Sequence, residues 1–302
     1  MTSILSITSN NSWFTTPNNI SLDKYVYNLM ENTYNESKLK KKCFVVPHDG
    51  IIYSGIVSAR IYNYLLNNIA LSKSNTINII MLCANHHINK KKLILPTVKM
   101  INFDNPSDNE YINKFIINDT IIQEIYENSS ETDFDSGNDF INEHSFYNQL
   151  PFLTYIQTLI GFFGKKIKLI PIIVGTSNIS SNLSTKLASI INEPSSFVII
   201  SSDFNHEGPR FNSSIPSSIK LKKMDLDAIN FIGNHNDILL EKTSVCGHYA
   251  LMLYAKVKNI KKENMEIIIR KTSFDSKYNK NNQFEDWYAQ DSIVSYLGII
   301  IK

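Results

Sequence analysis

Four short segments hold the side chains that could do chemistry. They read Pro47-His48-Asp49-Gly50, Asn85-His86-His87, Ser202-Asp203-Phe204-Asn205-His206 and Val245-Cys246-Gly247. Each follows an apolar, β-branched run or opens a helical pattern. In an α/β protein the carboxyl ends of parallel strands converge on one crevice. Imidazoles, a thiolate and a carboxylate meeting there would make a metal or redox site.

The elements that must position them are legible as apolar runs. Cys43 to Pro47, Ile77 to Cys83, Lys168 to Val174 and Phe197 to Ser201 read as buried strands, and Met265 to Arg270 and Ile293 to Ile301 as two more. Ile56 to Ile69, Phe146 to Ile160, Ser180 to Ile191 and Tyr249 to Val257 carry helical patterns. Strand, helix, strand at this spacing predicts βαβ units. The expected fold is α/β, a mostly parallel mixed central sheet flanked by helices. One domain over 1–302 is expected, with an acidic, weakly apolar surface insertion around 126–142.

Composition narrows the function. The chain has 302 residues, 43% hydrophobic, and a formal net charge of +2. That balance gives no strong overall field for nucleic acid or an anionic membrane. Three widely spaced cysteines make no disulfide framework and fit a reducing compartment. No apolar stretch reaches the ~18 residues of a membrane span. No signal peptide is evident at the N-terminus, so a cytoplasmic location is expected.

Taken singly, each candidate has a plainer reading. His48, His86 or His144 could be satisfied by backbone groups, Asp203 could cap a turn, and Cys246 could be a small buried hydrophobe. Neighbouring side chains on an extended segment point opposite ways. His86 is therefore taken to face the crevice and His87 to support it. Asp203 could bind a metal or orient a ring, and His206 suits proton transfer. Cys246 at a helix start should have a lowered pKa.

Together the motifs resemble one family, the Memo proteins. The resemblance begins at Ser12-Trp13-Phe14 and runs through Pro47 to Gly55, Asn85-His86-His87 and Glu143-His144-Ser145. It continues with Gln149-Leu150-Pro151-Phe152, Ser201 to Gly208 and Val245-Cys246-Gly247, and ends at Asp291 to Tyr296. This chain departs from the family pattern at Asp49, Ile51, Cys83-Ala84, Tyr147 and His248-Tyr249.

The resemblance implies a fold similar to class III non-haem iron extradiol dioxygenases. It also implies metal ligands at His48, His86 and Cys246, a catalytic acid/base at His206 with Asp203 beside it, and pocket-lining Trp13 and Tyr53. His87 and His144 are expected at the same pocket. The implied cofactor is iron or copper, with zinc as a further candidate, and the implied activity is metal-dependent redox chemistry. A thiolate where the dioxygenases place a carboxylate argues against ring cleavage. The alternative is a non-enzymatic signalling scaffold that binds phosphotyrosine peptides in the vestigial pocket. Its ligand is then a phosphopeptide or a small molecule, with no nucleic-acid partner.

Overall fold

The structure, a computed structural model, describes residues 4–9, 11–35, 41–104, 113–127, 129–275 and 291–302. Twelve strands are present among them: β1 (Ile4–Thr8), β2 (Cys43–Val46), β3 (Thr76–Cys83), β4 (Leu93–Leu95), β5 (Met100–Asp104), β6 (Lys114–Ile117), β7 (Thr132–Phe134), β8 (Lys166–Val174), β9 (Ser196–Ser201), β10 (His206–Glu207), β11 (Met265–Thr272) and β12 (Ile293–Ile301). The helices are α1 (Leu22–Thr33), α2 (Ile51–Leu71), α3 (Asp119–Glu127), α4 (Asp139–Asn142), α5 (His144–Tyr147), α6 (Leu150–Gly161), α7 (Ser181–Asn192), α8 (Ser218–Gly233), α9 (Asp237–Leu240) and α10 (His248–Lys258).

One mixed sheet runs in the order β1-β5-β6-β8-β3-β9-β2-β12-β10. Its centre, β6-β8-β3-β9-β2, is parallel throughout. The antiparallel pairings lie outside that centre: β5 on β6, β12 on β2, β10 and β11 on β12, and β4 on β8. The parallel centre follows from composition. Every residue of β2, β9 and β12 is buried, so these runs of Val, Ile and Phe need cover on both faces. Helices α1, α2 and α6 pack on one another, and α2 rests on β2 and β12. Helices α7 and α10 pack together against β9. This is the α/β architecture expected from the sequence.

Local signals set the helix starts. Ser180 opens α7 by accepting from the Leu183 amide, and Ser217 opens α8 by accepting from Lys220. Each oxygen satisfies one of the free amides of a first helical turn. The single helix read over Phe146 to Ile160 is in fact two, α5 and α6, broken at Asn148-Gln149. Those two amides are used by the site. The acidic stretch around 126–142 holds more than loop. It contains β7, which pairs in parallel with β4, and α4, and it buries Thr132 and Phe140. No helix among the described residues is long and apolar enough to cross a membrane.

Candidate metal centre

Strands β2, β3 and β9 are mutually parallel or share a parallel neighbour, so they end at one edge of the sheet. His48 follows β2, His86 and His87 follow β3, and Asp203 follows β9. Cys246 sits just before α10, whose capping residue Gly247 donates to Ser202 Oγ at 3.1 Å. His144 opens α5. The chain topology thus delivers all these side chains to the same place.

Two sets of donor atoms lie there, with every atom of a set within 4.8 Å of the others: His48, His86 and His144, and His48, Asp203 and Cys246. His48 belongs to both. Its ring stands edge-on to His86 and to His144, with centroids 5.1 Å away in each case. Its Nε2 is 3.2 Å from Cys246 Sγ and 3.7 Å from Asp203 Oδ2.

The hydrogen-bond partners decide which ring nitrogens are free. Ser201 Oγ donates to Ser145 O at 2.6 Å. It must therefore accept from Gln149 Nε2, at 2.9 Å, and from His48 Nδ1, at 3.0 Å. His48 then carries its proton on Nδ1 and leaves Nε2 as a lone pair facing the thiol. His86 Nδ1 likewise donates to Glu143 Oε1 at 2.7 Å, while its backbone amide donates to Glu143 Oε2 at 2.9 Å. Metal-binding histidines are held in this way, by a partner on the other ring nitrogen.

Glu143 is almost wholly buried and also caps α5 by accepting from Ser145 N. Burial pushes its carboxyl up. The hydrogen bonds from the His86 ring and backbone amide outweigh burial and hold the pKa at about 2. His144 is pushed down to about 2 by burial and by the neighbouring rings. His48 is likewise held well below the ordinary imidazole range by burial and by His86. Both rings are neutral at physiological pH, the form that binds metal.

Burial, aided by Asp203, pushes the Cys246 thiol well above its usual range. This corrects the expectation of a lowered thiol pKa: burial outweighs the helix start. Asp203 does not act as a turn cap. Its Oδ1 accepts from the His48 amide at 2.9 Å, and its own amide donates to Cys246 Sγ at 3.2 Å. Asp49 accepts from Tyr296 OH and from Gly50 N. Burial and the charge of Asp203 raise its carboxyl to about 7.

Trp13 stacks on His144 at 4.3 Å and 11°, and His144 stacks on His86 at 4.2 Å. His87 is exposed at the rim, its ring 6.1 Å from that of His86. Strand β3 ends at Cys83, so the alternation assumed for His86 and His87 does not apply. His206 donates from Nδ1 to Ser244 O at 2.8 Å, leaving Nε2 open. Tyr53 is buried with Val57, Val294 and Tyr296. Sequence reasoning missed Ser201, Gln149 and the role of Glu143 as anchor of His86. The one available signal was an acid directly before His144 at a helix start.

The profile of the Memo-like protein family matches residues 11–300. The chain belongs to the Memo-like family. A MEMO1 family protein of Desulfurococcus amylolyticus is 31% identical over 217 residues, 69% of this chain and 68% of that protein. MEMO1 family proteins of Sulfurisphaera tokodaii and Saccharolobus islandicus are 26% and 24% identical, over 87% and 89% of this Memo-like chain and 84% and 85% of their own lengths. A crystal structure of an uncharacterized protein from Escherichia coli K12 aligns with 87% of this chain and all of its own, at 12% identity and a TM-score of 0.49.

Proposed function

We propose that this Memo-like protein binds one redox-active metal ion, iron or copper, through His48, His86 and Cys246. The observation that carries the reading is the His48 Nε2 lone pair. Its proton is fixed on the far nitrogen, and a thiol lies 3.2 Å away. His48 belongs to both donor sets, so an ion bound to it has either set within reach. The proposal requires His86 and Cys246 to close on a common ion, with His144 and Asp203 as the nearest further donors.

The donor chemistry fits. Two imidazoles and a thiolate suit copper, iron or zinc and disfavour hard ions such as magnesium. When bound, the ion would supply one-electron chemistry. The chain's own contributions are separate. Glu143 and Ser201 orient the two rings, and the half-buried Cys246 brings its sulfur to His48 Nε2. His206, with a free Nε2, and Asp203 are the groups placed to hold or move a proton. A thiolate in the carboxylate position argues against ring-cleaving dioxygenase activity. The alternative, a phosphotyrosine-peptide scaffold, is disfavoured by Asp203 and Glu143, two buried acids beside His48 and His86.

The test is metal content after purification without chelator. Near-stoichiometric iron or copper is expected in the native protein and a large loss in His48→Ala, His86→Ala and Cys246→Ala. Asp203→Asn and His144→Ala should retain more. Metal retained in all three ligand variants contradicts the assignment. Metal-free native protein that binds a phosphotyrosine peptide would favour the scaffold.

A further inference from the structure

We infer that the end of the sheet opposite the metal centre docks on an anionic lipid surface. This inference is independent of the metal site. The segments leading into β2, β3, β6, β8 and β9 gather at that end, because these strands start together. They carry Lys41, Lys42, Lys73, Lys114, Lys165 and Lys166. Glu193 lies in the same segments, Asp104 closes the neighbouring β5, and Glu263 and Glu266 stand at the start of β11, so the described lysines at this end outnumber the acids. The net charge of +2 for the whole chain conceals this local excess.

Two phenylalanines project from the same end. Phe162 and Phe163 are 81% and 78% exposed, in the turn that links α6 to β8. The turn is ordered by its own bonds: Phe163 and Lys165 amides donate to Ile160 O, and the Gly164 amide donates to Gly161 O. Gly164, at φ +69°, turns the chain out of the helix. Two adjacent, almost fully exposed phenylalanines on a fixed turn are costly in water. A bilayer interface, with aromatic side chains inserted beside lysines that meet acidic head groups, offsets that cost.

A cavity of about 580 Å³ adjoins the turn, with Lys41, Lys42 and Lys73 at its walls and Leu71 and Phe197 among its apolar lining. Lys165 ties the turn to it, with Nζ donating to Ser72 O at 2.5 Å and Ser74 O at 3.0 Å. Basic walls over an apolar lining match a lipid better than a nucleic acid, which would need exposed stacking faces along an open groove.

The test is sedimentation of the full chain with phosphatidylcholine vesicles, with and without about 30% phosphatidylserine. Binding to the anionic vesicles alone is expected, and raising salt to about 0.5 M should abolish most of it. Phe162→Ser/Phe163→Ser should weaken binding about tenfold or more. Lys73→Glu/Lys166→Glu should weaken it at least about tenfold. All four positions are partly or fully exposed, and circular dichroism checks that the variants fold. The inference is overturned by absent binding, by equal binding to neutral vesicles, or by variants that bind as the native protein does. Binding to a single-stranded oligonucleotide without vesicle binding also overturns it.

Discussion

His48 is the residue on which the candidate centre turns, and its usefulness depends on a proton it holds elsewhere. Ser201 accepts that proton and is itself saturated by Ser145 and Gln149. Glu143 does the same for His86. Glu143→Gln removes a buried charge that faces His86 and lets that ring turn. Metal affinity should fall about 10–100-fold, as for comparable partners of metal-bound histidines, measured by competition with a chromogenic chelator. Unchanged affinity would remove Glu143 from the site. His48 needs no deprotonation at neutral pH, whereas the thiol of Cys246 does. Binding should therefore release about one proton per ion and strengthen as pH rises. The candidate ligands were legible because they stand at the ends of apolar runs or, for Cys246, at a helix start. Glu143, Ser201 and Gln149 were not legible as partners, because each lies far along the chain from the ring or neighbour it serves.

At the scale of elements, the site depends on close backbone approaches. A Cβ on Gly247 would collide with Ser202 Cβ and Oγ. Gly247→Ala should therefore cost about 1–3 kcal/mol in a urea titration and displace Cys246, lowering metal occupancy as well. Lost stability with full occupancy would show that the α10 start and the thiol move independently. The long strands and α2, α7 and α10 were legible because their apolar runs are long. The short strands β4, β7 and β10 were not, since two or three residues carry no periodicity. The split between α5 and α6 was hidden for another reason. Asn148 and Gln149 interrupt the helix so that their amides reach His48 O and Pro47 O, a tertiary demand that local pattern does not record.

For the whole molecule, burying neutral histidines makes stability depend on pH. A ring whose folded pKa is depressed binds its proton only in the unfolded chain below about pH 6.5. Stability then falls as the solution is acidified. His48 and His144 are both shifted this way. The metal-free protein should lose about 2 kcal/mol per ring between pH 7 and pH 5, read from urea midpoints. Equal midpoints at the two pH values would mean that the rings are not held neutral. Glu143 acts in a lower window. Its depressed carboxyl contributes stability above about pH 4.5 and loses it on further acidification toward pH 2. Domain-scale architecture was the most legible feature, because a parallel sheet buried on both faces writes itself as uninterrupted apolar runs.

X-ray absorption at the metal edge of the loaded native protein and of Cys246→Ala tests the central claim most directly. The expected result is one sulfur at about 2.3 Å beside imidazole nitrogens at about 2.0–2.1 Å, distances taken from zinc sites, with the sulfur lost in the variant. A shell of nitrogen and oxygen alone in the native protein, with Cys246 still open to alkylation, would contradict the account.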